Sequence, residues 1–204
     1  MLKVGLTGGY ATGKTFVARE LERLSCHLIY ADELGHQVLL PEGEAYSPTV
    51  AAFGRGILEP DGRIDRKKLA AVVFPSAELL DKLSGFVHPA VFRLEQQLLT
   101  AIGEKDPHAI AVIEAAILIE TERYKAFDRL IVTVCDADTQ IARAMKRDHL
   151  TREEASARLG QQLPNEEKVR HAHYVVDTSG SKEQTLRRVA QIYRELKQLA
   201  ESSP

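Results

Sequence analysis

Residues 8–15 constrain the fold more than any other stretch, because they combine glycines, a lysine and a hydroxyl at fixed spacing. Their sequence is GGYATGKT, which matches the pattern G-x-x-x-x-G-K-[ST]. An apolar run precedes them, and apolar residues recur at helical spacing from Phe16 onward. The order strand, glycine-rich loop, helix is typical of loops that bind nucleotide phosphates. The sequence therefore predicts a phosphate loop at the start of an α/β domain.

Four positions of this loop have a specific role in binding a nucleotide. Gly8 and Gly13 permit positive φ angles, so that successive N–H groups can point toward an anion. We expect Lys14 to reach the β- and γ-phosphates of a nucleotide, and the Thr15 hydroxyl to ligate Mg²⁺. A chance match in a glycine-rich turn is the alternative, and the flanking strand and helix favour the functional interpretation.

Composition narrows the class of protein. A chain of 204 residues suits one α/β domain with an inserted subdomain. The net charge of −2 provides no basic field for nucleic acid, and no apolar run is long enough for a membrane span. We expect a cytoplasmic monomer or small homo-oligomer with small-molecule substrates, and with neither nucleic-acid nor membrane partners. Cys26 and Cys135 lie in or beside apolar runs, which predicts buried free thiols rather than a disulfide.

Five apolar segments predict the strands of a parallel sheet. They cover residues 2–6, 27–31, 109–119, 129–135 and 174–177. Runs that are apolar on both faces are typical of parallel strands covered by helices. Amphipathic patterns predict helices over residues 16–25 and 181–199. The predicted fold is a three-layer α/β phosphate-loop fold with a five-stranded parallel sheet.

The segment between the second and third strands departs from strand–helix alternation. Its helical patterns cover residues 65–74, 77–83 and 89–99, without a strong strand. Asp65 suits a helix cap, and Pro89 suits the first position of a helix, so that His88 before it has a plain structural interpretation beside a substrate role. We expect residues 40–103 to be a helical insertion that binds the second substrate. The kinase core then consists of residues 1–39 and 104–204.

Two carboxylates fall at or near the ends of predicted strands. Asp32 follows the second strand, and Glu114 interrupts the third. Ligands of open parallel sheets bind outside the carboxyl ends of the strands, so both are expected near the loop. Asp32 is a candidate general base or water-mediated Mg²⁺ partner, with a helix N-cap as the structural alternative. Glu114 is a candidate water-mediated Mg²⁺ partner, or an exposed carboxylate without a role.

Basic residues concentrate between the last two predicted strands. They are Arg143, Lys146, Arg147, Arg152, Arg158, Lys168 and Arg170. Charge that develops on a transferred phosphoryl group needs such donors, and a closing segment would exclude water. Interleaved glutamates make a solvated helix face the alternative. Arg143 and Arg147 are four residues apart and share one face, so we favour these two. His171 and His173 lack matched ligands, and we expect no metal site there.

Several stretches together resemble the dephospho-CoA kinase family over nearly the whole chain. They are VGLTGGYATGKT, ADELGHQVL, DGRIDRKKLAAVVF, FVHPAV, ILIE and TQIARAMKRDHLTREEASARLGQQLPNEEKVRHAHYVVDTSGS. The last is the most specific, because Gln140, Arg143, Arg147, Arg158 and Gln162 follow the family's order and spacing.

The resemblance implies phosphorylation of the ribose 3′-hydroxyl of dephospho-CoA by ATP, the last step of coenzyme A synthesis, with Mg²⁺ as cofactor. The ATP-binding residues that it implies are Gly8, Gly9, Ala11, Thr12, Gly13, Lys14, Thr15, Phe16, Arg147 and Thr178. It implies catalysis by Asp32, Lys14 and Arg143, with Asp32 as the base. Substrate contacts are implied for Asp32, Arg66, His88, Pro89 and Arg143, and a lid for residues from about 145 to 165. The expected metal partners are Thr15 and Glu114.

Some positions depart from the family's usual residues. Ala11 and Thr12 replace Gly and Ser, and Thr178 stands where Asn is frequent. A methyl group restricts φ, so we expect an ordinary backbone conformation at Ala11. Thr178 offers only a hydroxyl to adenine, which predicts looser base selectivity.

Two other functions are weighed against this one. Another phosphate-loop kinase for a nucleotide or small alcohol is the nearer alternative, and the helical insertion argues against it. A GTP-binding switch is the more distant one. It would need an Asn-Lys-x-Asp motif, which this sequence does not contain.

Overall fold

The structure, a computed structural model, describes residues 1–202. Its strands are β1 (Leu2–Gly8), β2 (His27–Tyr30), β3 (Ile110–Glu114), β4 (Arg129–Val134) and β5 (Tyr174–Asp177). The helices in that range are α1 (Lys14–Arg23), α2 (Ala31–Gln37), α3 (Tyr46–Phe53), α4 (Arg66–Val73), α5 (Ala77–Lys105), α6 (Ala137–Asp148), α7 (Arg152–Gly160), α8 (Asn165–Val169) and α9 (Lys182–Ser202). Across these 202 residues, every helix is too short or too polar to cross a membrane.

The strands form one sheet in the order β2-β3-β1-β4-β5. The ladders of β1 with β3, β1 with β4, and β4 with β5 are parallel. In register, Leu6 lies opposite Glu114 and Gly8 lies opposite Thr133. The central strand β1 therefore ends between the carboxyl ends of β3 and β4, which is where an open parallel sheet binds ligands. The predicted α/β fold with a five-stranded parallel sheet is confirmed.

Two compact units make up the described chain. The first comprises residues 1–29 and 102–202 and contains nearly all of the sheet. Val4 and Leu6 of β1 are fully buried there, and so is Leu21 on α1, because both faces of the strand are covered by apolar side chains. Cys26 and Cys135 are buried free thiols, as predicted, and burial raises the pKa of Cys26 to about 12.

The second unit is Tyr30–Ala101 and is mostly helical. Its core includes a cluster of Ile57, Ile64, Leu69 and Val73. Asp65 caps α4 as predicted, because its Oδ1 accepts the N–H groups of Lys67 at 2.9 Å and Lys68 at 3.1 Å. The domain boundaries at 39/40 and 103/104 stay a prediction. Residues 203–204 of the predicted core lie outside the described residues.

Three local predictions were wrong. Residues 77–105 form one helix, α5, with Pro89 inside it rather than at the start of a second helix. Its buried residues Val91, Glu95 and Leu99 recur every four positions, and packing of this face outweighs the cost of a proline in a helix interior. The third strand ends at Glu114 and not at 119, because the apolar residues beyond it, such as Leu118, are buried within a turn. The second strand ends at Tyr30, so Ala31 already belongs to α2.

Candidate functional site

The phosphate loop connects β1 to α1. Gly8 is required there by close contacts, and Gly13 by its backbone conformation. A Cβ added to Gly8 would lie 2.1 Å from Thr133 Oγ1 and 2.4 Å from the Thr133 carbonyl oxygen. Gly13 precedes α1 with a φ of 82°, a left-handed conformation that favours glycine. No side chain of the described residues caps α1. The Phe16 N–H donates to the Gly13 carbonyl oxygen at 3.0 Å, and the positive end of the dipole of this ten-residue helix lies at the loop, where it attracts anions.

Polar side chains fix the interior of the loop. Thr12 is fully buried, and its Oγ1 lies 2.8 Å from the Gly9 carbonyl oxygen and 2.7 Å from Thr133 Oγ1. Lys14 Nζ donates to the carbonyl oxygens of Gly8 at 3.0 Å and Gly9 at 3.1 Å. The ammonium group therefore lies across the loop in which phosphates are expected. Thr15 is exposed in the first turn of α1, and Phe16 is half-buried beside it.

Ala11 does not have the ordinary backbone conformation that the sequence predicts. Its φ is 57°, in the left-handed region. This conformation costs an L-residue about 1–2 kcal/mol. Ala11 packs with Tyr10 against a cluster of Ile141, Ala144 and Ala155, and these apolar contacts offset part of that cost. The prediction for Ala11 failed because it did not include this packing, which the local sequence does not reveal.

The segment after β4 contacts the loop from outside. Gln140 Nε2 donates to the Tyr10 carbonyl oxygen at 2.7 Å, and the Tyr10 N–H donates to Gln162 Oε1 at 2.6 Å. Asn165 Nδ2 donates to Gln140 Oε1 at 3.1 Å, so these amide side chains form a chain of bonds. A Cβ on Gly9 would lie 2.9 Å from Asn165 Oδ1. Glycine at position 9 thus lets this segment approach the loop closely.

Arg143 is bonded to Thr178 at the end of the sheet. Its Nη1 donates to Thr178 Oγ1 at 2.9 Å, and its Nη2 donates to the Thr178 carbonyl oxygen at 2.7 Å. The buried Thr178 hydroxyl donates in turn to the Thr12 carbonyl oxygen at 2.8 Å. Thr178 therefore connects an arginine of α6 to the phosphate loop. Its hydroxyl is engaged in these bonds, which makes a polar contact of that hydroxyl with adenine harder to form.

Arg147 pairs with its neighbour Asp148. Its Nε and Nη2 donate to the two carboxylate oxygens at 2.8 and 2.9 Å. This bond holds the pKa of Asp148 well below its usual range and raises the pKa of Arg147. The guanidinium also lies 5.0 Å from the centre of the Tyr10 ring. Arg147 thus contacts its helix neighbour Asp148 and the Tyr10 ring of the loop.

Glu114 ends β3 opposite Leu6 of β1, at the edge of the sheet from which the loop departs. It is half-buried. A carboxylate at this edge and the exposed Thr15 hydroxyl are hard oxygen donors, the ligand type that Mg²⁺ prefers. The chemistry of these two donors therefore fits the expected ion.

The remaining predicted residues belong to the second unit. Asp32 is exposed in the first turn of α2, and Tyr30 holds the N-cap position, so the alternative of Asp32 as a cap is wrong. Arg66 begins α4 and is exposed. His88 and Pro89 are exposed near the middle of α5. Each of these side chains is exposed on its own helix, so the local sequence does not indicate that they act on the same substrate. The structure thus joins the loop, Arg143, Arg147 and Thr178 by direct contacts within the first unit.

Sequence reasoning missed two features of the first unit. Tyr10 occupies a position that the motif G-x-x-x-x-G-K-[ST] leaves free, yet it contacts several residues of α6 and α7. The sequence places Lys168 in the basic cluster expected to meet the transferred phosphoryl group, with a solvated helix face as the alternative, yet its side chain is fully buried and ion-paired with Glu120. The local sequence contains no signal for this burial, because the partner Glu120 lies 48 positions away.

Comparisons with known proteins agree with this geometry. A family model described as dephospho-CoA kinase matches residues 2–184. A dephospho-CoA kinase of Geobacter sulfurreducens is 40% identical over 190 residues, 93% of this chain and 96% of the relative. One of Aquifex aeolicus is 37% identical over 196 residues, 96% of this chain and 98% of the relative.

Two solved structures share the architecture. TT1252 from Thermus thermophilus has a TM-score of 0.81 at 26% identity, over 100% of this chain and 98% of that chain. A dephospho-CoA kinase from Campylobacter jejuni has a TM-score of 0.74 at 23% identity, over 96% and 97% of the two chains. The second likeness supports the fold alone.

Proposed function

The chain belongs to the dephospho-CoA kinase family, and we propose how its residues transfer the γ-phosphoryl group of ATP to dephospho-CoA. The reaction yields coenzyme A and ADP and is the last step of coenzyme A synthesis. The observation that carries the proposal is Lys14 Nζ, which lies across the loop on the carbonyl oxygens of Gly8 and Gly9. An ammonium in that position meets the β- and γ-phosphates when ATP enters.

ATP occupies the phosphate loop of the first unit. The N–H groups at the start of α1 and the cation of Lys14 bind its phosphate oxygens. Gly9, Ala11 and Thr12 shape this surface, and Phe16 contributes a half-buried wall beside it. Arg147 contacts the nucleotide from α6, and the chain around Thr178 contacts the base.

Asp32 acts on the acceptor. Its carboxylate accepts the proton of the ribose 3′-hydroxyl as that oxygen attacks the γ-phosphorus. The new bond joins the 3′-oxygen to phosphorus, and the bond from phosphorus to the bridging oxygen of ADP breaks. Lys14 and Arg143 stabilise the negative charge on the transferred group. The support for Asp32 is its exposure in the first turn after β2 and its match to the family's stretch ADELGHQVL.

Thr15 and Glu114 are the residues that would hold Mg²⁺. The ion neutralises phosphate charge when it is bound. The two side chains supply hard oxygen donors, and these suit Mg²⁺ better than the softer copper or zinc ions.

The second unit binds dephospho-CoA. Arg66, His88 and Pro89 are its proposed contact residues, and all three are exposed and accessible to a ligand. A half-polar cavity of about 280 Å³ lies within this unit, with Gln37 and Arg93 among its lining residues. The proposed contact residues Arg66, His88 and Pro89 do not line this cavity, so the proposal rests on their exposure and on their match to the family. We propose that residues 40–103 form the helical insertion that binds the acceptor. Residues from about 145 to 165 form the proposed lid.

The cellular location and the state of assembly stay predictions. The sequence predicts a cytoplasmic protein that is a monomer or a small homo-oligomer, without nucleic-acid or membrane partners. Gel filtration coupled to light scattering measures the assembly directly.

The proposal is tested by ADP release from ATP and Mg²⁺, with and without dephospho-CoA, and by mass analysis of the product. We expect ADP release to require dephospho-CoA, and the product to carry one added phosphate at the 3′-position. The matched control is an acceptor whose ribose lacks the 3′-hydroxyl, which should yield no product. ADP release that ignores dephospho-CoA would keep the nucleotide site and favour another small-molecule or nucleotide kinase.

A further inference from the structure

Tyr10, a variable position of the phosphate loop, is surrounded by charged side chains of α6 and α7. The Arg147 guanidinium lies 5.0 Å from its ring centre, a distance suited to a cation–π contact. The Tyr10 hydroxyl donates a hydrogen bond to Asp148. Arg158 Nη1 donates to the same hydroxyl at 3.4 Å. One side chain of the loop thus contacts both arginines that follow Arg143 in the family's pattern.

Asp148 links the ring and the guanidinium into one unit. Its Oδ1 accepts Arg147 Nε at 2.8 Å, and its Oδ2 accepts both Arg147 Nη2 at 2.9 Å and the Tyr10 hydroxyl. Arg158 Nη1 adds a longer ion pair at 3.8 Å. The bidentate bond to Asp148 occupies one edge of the Arg147 guanidinium. The Nη1 edge of Arg147 is therefore the one that can meet a phosphate.

The backbone of Tyr10 is held by the same segment. Gln140 on α6 donates to its carbonyl oxygen, and Gln162, which follows α7, accepts its N–H. The ring is therefore anchored at both ends, through the main chain and through the hydroxyl. A side chain fixed in this way can orient its neighbour, whereas a freely rotating one cannot.

We propose that Tyr10 is a positioning residue that, together with Asp148, holds the Arg147 guanidinium over the phosphate loop before ATP binds. The inference rests on the proposed ATP site and goes further, because it assigns a task to a loop position that the motif leaves free. A long arginine side chain loses rotamer freedom when a ligand orders it, and ordering in advance removes that cost from binding. Tyr10 therefore contributes to ATP affinity through Arg147, without contact to the reacting atoms.

The test is a double-mutant cycle read by calorimetric titration with a non-hydrolysable ATP analogue, without acceptor. Tyr10→Phe keeps the ring and removes the hydroxyl that Asp148 accepts, and Tyr10→Leu removes both contacts. We expect affinity to fall about threefold for Tyr10→Phe and about tenfold for Tyr10→Leu. In an Arg147→Ala background, both changes should alter affinity by less than about twofold, because no guanidinium is left to orient.

Two outcomes contradict the proposal. Affinity that is unchanged in both single variants shows that Arg147 needs no positioning. Losses that are equally large in the Arg147→Ala background show that Tyr10 shapes the loop independently of Arg147. Tyr193→Phe on α9 is the matched control, since it removes the same oxygen outside this network. Thermal unfolding of each variant verifies that the chain is folded.

Steady-state kinetics separate this proposal from the proposed function. The KM for ATP should rise in Tyr10→Leu while the KM for dephospho-CoA stays constant. If no variant and not even the wild-type chain phosphorylates dephospho-CoA, the acceptor assignment fails, but the titrations with the ATP analogue still decide the task of Tyr10.

Discussion

The two units differ in how far their proposed sites are already assembled. In the first unit, Thr12, Thr178 and Arg143 are joined by hydrogen bonds, and Tyr10 and Arg147 are joined through Asp148. In the second unit, the proposed acceptor residues are exposed on three separate helices. The proposed nucleotide site thus consists of residues that also hold the fold together. The acceptor residues are free of that task, so substituting them should affect activity more than stability.

One ion pair from each unit shows a similar contrast. The Lys168 side chain is fully buried and its partner Glu120 is 26% exposed, whereas Arg93 and Glu44 are each more than half exposed. A buried charge without a partner is costly, and a pair exposed to water contributes little. Stability should therefore depend on the pair in the first unit and hardly on the pair in the second.

The largest expected effect is that of Lys14→Ala in the first unit. The variant removes the cation proposed to stabilise the γ-phosphate, and we expect kcat to fall by about 10³-fold. A coupled assay of ADP formation at saturating substrates measures it. Lys197→Ala on α9 is the control for loss of a lysine elsewhere and should retain full activity. A normal rate for Lys14→Ala would remove the assignment of the phosphate loop.

Asp32→Asn changes a residue of the second unit and should lower kcat nearly as much. Loss of the general base should lower kcat by roughly 10²-fold or more. The melting temperature should not change, because the side chain is exposed and caps no helix. Glu33→Gln changes the neighbouring exposed carboxylate on α2 and should be fully active. Turnover of Asp32→Asn near the wild-type rate would leave Asp32 without a catalytic role.

Glu120→Gln and Glu44→Gln compare the two ion pairs directly. Glu120→Gln leaves the buried ammonium of Lys168 without a counter-charge, and we expect a loss of about 2 kcal/mol in the free energy of unfolding. Glu44→Gln should cost less than about 1 kcal/mol, because water screens its pair with Arg93. Urea denaturation at neutral pH gives both values. Equal losses in the free energy of unfolding would show that the two ion pairs do not differ in their contribution to stability.

Ala11→Gly is expected to have the smallest effect, a change in the free energy of unfolding. Glycine adopts the left-handed φ of 57° without steric cost, although a methyl contact with the Ile141 cluster is lost. We expect a net gain of about 0.5–1 kcal/mol in the free energy of unfolding. Gly13→Ala, at a φ of 82°, is the matched reverse change and should destabilise the chain. A loss of stability in Ala11→Gly would show that the methyl contact outweighs the backbone strain.

The first unit was easier to predict from sequence than the second. Glycines, a lysine and apolar strands are local signals, and they predicted the loop, the sheet and the bounds of β5 correctly. The chain of bonds through Tyr10, Asp148 and Gln162 joins residues more than 100 positions apart. No local pattern contains that information.

The errors in the second unit have a related cause. Pro89 favours the start of a helix by itself, but the buried face of α5 continues past it and keeps the helix whole. Tertiary packing also overruled the expectation for Ala11 in the first unit. Arg66 is identified as a site residue only through the resemblance to the family. The position of Asp32 after the second strand already indicates a base, and His88 has a structural interpretation beside a substrate role until the resemblance is considered.

The most direct test of the separation between the two units is calorimetric titration of Lys14→Ala and Asp32→Asn with a non-hydrolysable ATP analogue. We expect Lys14→Ala to weaken nucleotide binding by at least about tenfold, because a charged hydrogen bond to phosphate is lost. Asp32→Asn should bind the analogue as the wild-type chain does. An equal loss of affinity in both variants would contradict the proposal that nucleotide and acceptor are bound by separate sets of residues.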